Sequence, residues 1–537
     1  MTIRNPILRG FNPDPSIVRV GDDYYVATST FEWFPGVQLH HSRDLANWRL
    51  AARPLTRPSQ LDMRGNPDSC GVWAPDLSHS GGRFHLVYTD VKRYGRATVD
   101  GATGASLRDF HNYWVWADQV DGEWSDPVHL NSSGFDPALF HDDNGRSWLL
   151  NMLWDHRPGR RRFAGIAIQE IDLAGGQLRG ERRVIFEGTP LGFTEGPHLY
   201  KRDGWYHLLV AEGGTERNHA VVMARSRSLV GPYEPHPDGP VLTAMGKPDA
   251  PLVRAGHGDL VDTPSGETWM VYLCARPLAP SGRCVLGRET AIQPMRWGED
   301  GWLRTSDGSG TPLIQVEGPD VADSAEVPAD ERHVFGKARL PDVFQWLRTP
   351  YPDDLFSLAE RAGHLRLFGR ETIGSLFTQS LVARRQQAFR YTAETLLDFR
   401  PVNFQQAAGL ICYYNGTKFR FFQVTADDEG RRRLQVVSAM PVDGGCDSVT
   451  EPIEIPFGPI ELRVDVDHEV ARFAYRPEGV GDWSWLPQRF DASILSDEAT
   501  LPGLPNFTGA FVGMACYDLS GAKMPADFAH FNYRERS

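Results

Sequence analysis

The sequence predicts an all-β protein, with a five-bladed β-propeller over residues 1–316, a linker over 317–332 and a C-terminal β-sandwich over 333–537. Two patterns predict the propeller: a short motif that recurs about every sixty residues, and strand-like segments that follow each copy. A third pattern, the alternation of apolar and polar residues without such a repeat, predicts the sandwich. Apolar residues at helical spacing are nearly absent.

The recurring motif carries a carboxylate at its reference position in four of its five copies. The copies are Asn12–Pro15, Trp73–Asp76, Gly134–Pro137, Thr194–Pro197 and Gly256–Asp259. Measured between Asp14, Asp76, Asp136, Glu195 and His257, the intervals are 62, 60, 59 and 62 residues. Spacing this even indicates one structural unit repeated five times.

A short apolar stretch, a turn and an aromatic strand follow each copy. The turns carry the glycine that a tight hairpin needs, at Gly21, Gly82, Gly145, Gly204 and Gly266. A third strand recurs as well, for example in Val37–Ser42 and Ala220–Ser226. Repeated antiparallel units of this kind are typical of a β-propeller, in which the first strand of each blade lines the central axis. We therefore expect the five motifs to meet in one small central space.

Beyond residue 316 the chain becomes acidic and proline-containing, which predicts the linker to a second domain. Period-two alternation then resumes, for example in His364–Phe368, Thr395–Phe399, Phe419–Phe422 and Glu461–Val466. Roughly 200 residues of such strands without an axial repeat predict a β-sandwich.

Composition excludes several classes of partner. The 56 basic and 69 acidic residues give a formal net charge of −13, so most of the surface would repel a nucleic-acid backbone. No apolar run is long enough to span a bilayer, and the N-terminus lacks the apolar segment of a secretory signal. The six cysteines are scattered, which favours free thiols in a reducing compartment. We predict a cytoplasmic protein that binds neither nucleic acid nor membrane; the sequence leaves a homo-oligomer open.

Three of the converging carboxylates have neighbours that suit acid–base chemistry. Asp14 lies between two prolines, and we expect it to stay ionised and to activate water. Glu195 has more apolar neighbours, and burial raises a carboxyl pKa, so it is the better proton donor. Asp136 would raise the pKa of Glu195 through its charge. A single Asp before a proline more often has a structural role, but three like charges at one phase of a repeat indicate chemistry or cation binding.

The remaining residues near the axis have weaker signals. Asp76 and Asp259 are interpreted as turn residues. His257 could bind a metal, shuttle a proton or fill the core, and a lone histidine is a weak metal signal. We assign no metal ligand and expect no required cofactor, although the axis leaves room for a divalent cation such as calcium. Arg288 is expected to balance the carboxylates or to bind a hydroxyl, or else to form an ion pair with Glu289 or Asp259. Trp73 is expected to stack on a sugar or to pack in the core.

Eight segments of the chain resemble the family 43 glycoside hydrolases, and most closely their two-domain β-xylosidases. The segments are Gly10–Ser16, Thr28–Val37, Trp73–Leu77, Gly134–Asp136, Thr194–Tyr200, Leu286–Thr290, Asn403–Leu410 and Thr508–Gly513. The resemblance implies an inverting mechanism with Asp14 as general base, Glu195 as general acid, and Asp136 as the residue that tunes and orients the acid. It also implies that the sandwich helps to close the pocket, and it carries over five substrate-binding residues: Phe31, Trp73, His257, Arg288 and Phe511.

Two departures from the family pattern stand out. The segment Ala279–Cys284 looks shorter than usual, which is expected to alter the pocket rim and the substrate preference. Pro137 replaces a small residue that is common at this place, and we expect that change to be silent.

The resemblance implies an exo-acting enzyme that releases xylose from the non-reducing end of β-1,4-xylooligosaccharides. An α-L-arabinofuranosidase, or an enzyme with both activities, is the nearest alternative because the two sugars can place similar hydroxyls in one pocket. A non-catalytic glycan-binding propeller is an alternative of another class. Clustered carboxylates argue against it, since mutually repelling charges serve no purpose in a site that only binds.

Overall fold

The computed structural model describes residues 2–94, 107–319, 331–439, 446–448, 450–500 and 506–536. It confirms the predicted fold class: five antiparallel sheets form a propeller, and two nine-stranded sheets form a C-terminal sandwich. The one helical element within the described ranges is a 3-10 turn at Pro352–Asp354. None of the described helices is long and apolar enough to cross a membrane.

Each propeller blade is a meander whose first strand contacts the first strands of its neighbours around the axis. Blade one comprises Ser16–Val20, Asp23–Thr28, Gln38–Ser42 and Arg49–Ala52, and blade two comprises Gly71–Ser80, Arg83–Arg93, Asp109–Ala117 and Val128–Asn131. Blade three comprises Ala138–His141, Ser147–Trp154, Phe163–Asp172 and Gln177–Phe186. Blade four comprises Glu195–Arg202, Trp205–Glu212, Ala220–Ser226, Glu234–Pro235 and the short Leu242–Thr243. Blade five comprises Val253–Asp262, Thr268–Ala275, Glu289–Trp297 and Leu303–Thr305.

The ring is closed without a covalent bond. Thr2–Arg4 pairs antiparallel with Gln315–Glu317, which joins the start of the propeller to its end. The buried side chain of Asn5 reinforces this closure, because it donates to the carbonyls of Ile292 and Leu313, each at 2.8 Å. The side-chain oxygen of Asn5 also accepts a hydrogen bond from the N–H of Ile292 at 2.9 Å.

The sandwich packs two sheets face to face. One sheet has, in spatial order, Phe356–Ser357, Leu365–Phe368, Pro525–Glu535, Arg390–Asp398, Ile460–Asp467, Val470–Pro477 and Ser484–Trp485, with Glu331–Val334 and Phe490–Asp491 on side branches. The other has Cys446–Ser448, Arg432–Ala439, Lys418–Ala426, Gln406–Asn415, Phe511–Asp518, Ser380–Arg385, Gln345–Leu347 and Trp33–Phe34, with Ile453–Glu454 on a branch. Alternating burial along strands such as Ile460–Asp467 shows which residues enter the core.

The two domains share a sheet and a core. Trp33–Phe34, which follows the first propeller hairpin, pairs with Gln345–Leu347 and so becomes the edge of a sandwich sheet. Arg348, fully buried, reaches back to Asp68 of the propeller at 2.6 Å. Residues 320–330 of the predicted linker lie outside the described residues. Both ends of the predicted linker belong to strands, because Gln315–Glu317 ends inside it and Glu331–Val334 begins inside it. The exact domain boundaries stay a prediction.

Candidate active site

The first strand of each blade is preceded or interrupted by the same backbone turn. Its central residues, Asp14, Ala74, Asp136, Gly196 and His257, all have positive φ, between 33° and 55°. The residue that follows is proline in four of the five blades. Residues with a side chain seldom adopt this conformation, and where they do the site is often functional. The turn defines the structural repeat, with intervals of 60, 62, 60 and 61 residues, and the reference points Asp76 and Glu195 are displaced from it by two and one residues.

This turn sorts the side chains into two groups. The cavity is lined by Trp73, Phe135 and Glu195, which precede the turn, and by Asp14, Asp136 and His257, which are central to it. Residues two positions after the turn meet in a separate buried cluster: Ser16, Asp76, His198 and Asp259. One repeat therefore builds both a reaction site and an axial cluster.

Asp14 is held by donors to both of its carboxylate oxygens. Arg288 Nη1 donates to Oδ1 at 3.0 Å, and the hydroxyl of Ser29 donates to Oδ2 at 2.6 Å. The N–H of Ala74 donates in turn to the Ser29 hydroxyl at 2.7 Å, which fixes its direction. Asp14 is 5% exposed and lines the cavity, so a water or substrate there can reach it.

Asp136 and Glu195 form a coupled pair of buried carboxyls. Burial, followed by the charges of Asp136 and Asp14, raises the pKa of Glu195 well above its ordinary range. Burial and the charge of Asp14 also raise the pKa of Asp136. The N–H of Gly196 donates to Asp136 Oδ2 at 3.0 Å, which favours the ionised form of Asp136. At neutral pH the pair therefore holds a proton preferentially on Glu195, where a general acid needs it.

A cavity of about 960 Å³ lies over these carboxylates and is lined from both domains. Seven of the eight predicted site residues line it: Asp14, Phe31, Trp73, Asp136, Glu195, His257 and Arg288. The sandwich contributes Asp497, Glu498, Thr500, Asn506 and Phe507. The structure thus brings the predicted residues together, while their individual roles stay predictions.

Phe511 is the exception, and the expectation that it lines the pocket is corrected. Its ring is fully buried and stacks on Trp33 with centroids 3.7 Å apart. It begins the sandwich strand Phe511–Asp518, whose ladder turns the side chain into the core behind the pocket.

Phe507, four residues earlier and absent from the sequence prediction, supplies the aromatic wall instead. Its ring contacts Trp73 and Tyr94, each with centroids 5.6 Å apart. Its carbonyl accepts hydrogen bonds from Arg288 Nη2 at 2.9 Å and Nε at 3.3 Å. Arg288 therefore connects Asp14 to the sandwich segment that closes the pocket. The alternative ion pair of Arg288 with Glu289 or Asp259 is corrected, because Glu289 pairs with Arg276 and Asp259 lies beside His198.

Arg254 docks the rest of this sandwich segment. The guanidinium is buried at the cavity wall and contacts Asp497 at 2.6 Å and Glu498 at 2.5 Å. Tyr414 donates a hydrogen bond to Asp497. Glu498 also accepts a hydrogen bond from the N–H of Cys284 at 3.0 Å, so the segment Ala279–Cys284 contacts the sandwich at the pocket rim.

His257 is neutral and tightly packed. Burial lowers its pKa to about 4, although Asp14 acts in the opposite direction. The ring lies so close to Gly196 that an added Cβ there would be 2.9 Å from Nδ1. The neutral imidazole lies between Gly196 and the cavity. It is therefore better suited to a hydrogen bond with a substrate hydroxyl than to an ion pair with a charged group.

Asp76 and Asp259 are not turn residues, which corrects the sequence interpretation. Both are buried at the axis, on either side of His198 Nδ1, at 3.3 Å and 3.7 Å. Burial disfavours a charged imidazole, but Asp259 and Asp76 outweigh it and raise the pKa of His198 to about 9. The Ser16 hydroxyl lies 3.2 Å from Asp76 and 3.0 Å from Asp259, so the cluster also ties the first blade in.

These three side chains could bind a metal ion, since one ligand atom from each lies within 4.8 Å of the others. All four carboxylate oxygens nevertheless already accept protein hydrogen bonds, among them those from the N–H groups of Leu139, Ile17 and Leu260. Calcium takes about six to eight oxygen ligands, so it would have to displace these bonds. The cluster therefore does not fit a calcium ion. The positive charge that balances the carboxylates of Asp76 and Asp259 comes from a protonated His198.

Comparison with known protein families gives two matches. Residues 3–303 match "Glycosyl hydrolases family 43", and residues 332–534 match "Beta xylosidase C-terminal Concanavalin A-like domain".

Similar proteins cover the whole chain. It is 52% identical over 537 residues to "Xylosidase/arabinosidase 43B" of Humicola insolens, which covers 99% of this chain and 97% of the relative. It is 46% identical to "Beta-xylosidase" of Bacillus subtilis (strain 168), with full coverage of both. The crystal structure of xylan beta-1,4-xylosidase from Bacillus halodurans C-125 superposes with a TM-score of 0.95 at 49% identity, covering 99% of this chain and 100% of that one.

Proposed function

The chain belongs to family 43 of the glycosyl hydrolases, and we propose that it is an exo-acting, inverting β-xylosidase that releases xylose from the non-reducing end of β-1,4-xylooligosaccharides. One observation carries the mechanism: two carboxyls in one closed cavity have opposite environments. Asp14 accepts donors on both oxygens, whereas burial and neighbouring charge favour the protonated form of Glu195. The names of the relatives in Bacillus subtilis and Bacillus halodurans support xylose as the sugar.

In this mechanism Glu195 donates its proton to the glycosidic oxygen while Asp14 removes a proton from an attacking water on the opposite face of the sugar. Arg288 and Ser29 hold Asp14 in place through the reaction. Asp136 keeps the proton on Glu195 through its negative charge and is itself anchored by the Gly196 N–H. Phe507 closes the cavity from the sandwich side, which supports removal of terminal sugars rather than cleavage within a chain.

Hydrolysis of xylobiose by three variants tests the assignment. We expect Asp14→Asn and Glu195→Gln to lower kcat by at least about 10²-fold, because each removes one partner of the proton transfer. Asp143→Asn is the matched control, since this propeller carboxylate is 80% exposed and pairs with Lys201 outside the cavity. Equal thermal midpoints would show that the variants fold. Full activity of Asp14→Asn would refute the role of Asp14.

An arabinofuranosidase activity is the second candidate, and the printed name of the Humicola relative, which includes both sugars, favours it. Competition between xylobiose and an α-L-arabinofuranoside in one reaction would test whether a single site serves both. We expect the arabinofuranoside to be cleaved more slowly and to inhibit xylobiose cleavage competitively. Faster arabinose release would reverse the assignment of the main substrate.

We propose that hydrolysis requires no bound cation, because proton transfer between the carboxyls accounts for the reaction and the axial cluster does not fit calcium. Treatment with a chelator should leave kcat on xylobiose unchanged. Added calcium should not raise the thermal midpoint, as a cation that binds the folded protein would. Lost activity that calcium restores would contradict this proposal.

We further propose a cytoplasmic protein whose partners are small xylooligosaccharides rather than nucleic acid or membrane. Five cysteines whose side chains the structure describes are free and buried, namely Cys70, Cys274, Cys284, Cys412 and Cys516, which supports a reducing compartment. Fractionation of the producing cells tests the location, and sedimentation velocity tests the homo-oligomer that the sequence leaves open.

A further inference from the structure

Glu212 is a buried acid that the mechanism does not use. It ends the strand Trp205–Glu212, and the residue before it, Ala211, pairs with Glu195 in the neighbouring strand. The side chain of Glu212 is fully buried, and it does not line the catalytic cavity. The two acids therefore lie close together in one sheet, but only Glu195 reaches the cavity.

Both carboxyl oxygens of Glu212 hold the same loop, Thr189–Thr194, which leads directly into Glu195. Oε1 accepts hydrogen bonds from the N–H of Thr189 at 2.8 Å and from the hydroxyl of Thr194 at 2.9 Å. Oε2 accepts a hydrogen bond from the hydroxyl of Thr189. One buried side chain thus fixes the first and the last residue of the loop.

The backbone around these hydrogen bonds leaves little room for other arrangements. Gly188 has a φ of +90°, and an added Cβ there would be 1.9 Å from the Thr194 hydroxyl oxygen and 2.9 Å from Glu212 Oε1. A side chain at position 188 would displace both groups, so glycine is required there. The N–H of Gly213, next to Glu212, donates to the carbonyl of Gly192 at 2.8 Å and fixes the middle of the loop.

The loop also carries a strained aromatic residue at the cavity. Phe193 has a φ of +54°, which a bulky residue seldom adopts, and its ring is 54% exposed and lines the cavity. Strain of this kind persists only where the surrounding structure imposes it, and it is often found at functional sites. The hydrogen bonds to Glu212 impose it immediately before the general acid. Without them, we expect the loop to relax and to move Glu195.

We propose that Glu212 is a positioning residue, which holds the loop Thr189–Thr194 so that the carboxyl group of Glu195 meets the glycosidic oxygen. Proton donation depends steeply on the distance and direction between the acid and its acceptor, so a small displacement of Glu195 is costly. The cost falls on leaving groups that need the proton, such as the second sugar of xylobiose, and spares those that leave as stable anions. This inference rests on the proposed function, in which Glu195 is the general acid.

Xylobiose and 2,4-dinitrophenyl β-D-xyloside test the inference, because they share the terminal xylose and differ in their need for an acid. The measured quantity is kcat/KM for each substrate. Glu212→Met removes both acceptors at a similar volume, and we expect it to lower kcat/KM by about 10²-fold on xylobiose but by at most about threefold on the dinitrophenyl xyloside. Glu212→Gln retains an acceptor for Thr194 and should stay close to the unmodified protein on both substrates.

Glu289→Gln is the matched control, because Glu289 is also a fully buried acid of the propeller but pairs with Arg276 in blade five. Any loss in this variant should be equal on the two substrates. Should Glu212→Met fail to fold, Thr194→Val, which removes one hydroxyl at nearly the same shape, gives the same test with a smaller effect.

Equal losses on the two substrates in the folded loop variant would overturn the positioning role of Glu212 alone, since a folding defect lowers the active fraction for every substrate. No hydrolysis of either substrate by the unmodified protein would overturn the proposed function and this inference with it.

Discussion

Raising the pH is predicted to weaken the propeller through His198. This side chain is buried at the axis between Asp76 and Asp259, and the ring of His257 lies near it. Asp259 also accepts a hydrogen bond from the hydroxyl of Tyr200. Burial opposes its charge, but the two carboxylates raise its pKa to about 9 in the folded protein. A histidine in an unfolded chain titrates at about 6.5. The charged imidazole therefore stabilises the fold fully below about pH 6.5, and this stabilisation is lost as the pH rises through about 9.

The size of the effect follows from the two pKa values. Each unit of difference corresponds to about 1.4 kcal/mol, so the interval from 6.5 to about 9 is worth about 3 kcal/mol when fully expressed. About 2 to 3 kcal/mol of it remains at pH 7 and almost none at pH 10. A loss of this size is a substantial part of the total stability of most proteins.

Urea unfolding followed by tryptophan fluorescence at pH 7, 8.5 and 10 measures the effect, in the unmodified protein and in His198→Gln. We expect the difference in unfolding free energy between the two to shrink by about 2 to 3 kcal/mol from pH 7 to pH 10. Glu32 also has a raised pKa, but burial and its neighbours Arg348 and Asp68 cause that shift, so its contribution is the same in both proteins and cancels. His236→Gln is the control, because burial lowers the pKa of His236 and leaves it neutral throughout this range. A difference that stays constant with pH would refute the charged axial histidine.

Three further substitutions test the site. Asp136→Asn removes the negative charge that raises the pKa of Glu195, so the alkaline limb of the pH profile of kcat/KM should move to lower pH by about one to two units. An alkaline limb that does not move would show that Asp136 does not tune the pKa of Glu195. Gly196→Ala places a Cβ 2.9 Å from His257 at a φ of +55°, and kcat should fall at least about tenfold with a lower thermal midpoint. Arg254→Gln unpairs Asp497 and should raise KM more than it lowers kcat, since it loosens the segment that carries Phe507; a fall in kcat alone would contradict this role.

The propeller was predictable because a short motif recurs in the sequence about every sixty residues, once in each blade. The motifs, the glycine turns and strands such as Ala220–Ser226 all appear in the structure where the repeat puts them. The phase of the repeat was misassigned in two blades, because the signal used was the carboxylate. The feature that repeats is a residue with positive φ, which a proline follows in four of the five blades. Counting Ala74–Pro75 and Gly196–Pro197 as copies of this feature would have placed Asp76 and Asp259 at the axis.

Residues brought in by the second domain were harder to predict. Phe507 and Asp497 reach the cavity only through packing between the sandwich and the propeller, and no spacing in the sequence encodes that contact. Phe511 was misplaced for the same reason, since a motif match does not reveal which way a strand faces.

The central claim is that Asp14 and Glu195 hydrolyse a xyloside with inversion. Proton NMR of a xylobiose digest, recorded from the first minutes, tests it most directly because the anomers of released xylose give separate signals. Direct attack by a water that Asp14 activates predicts early accumulation of the α-anomer, followed by slow mutarotation. Early β-anomer would mean retention through a covalent intermediate, and would contradict the roles assigned to both carboxyls.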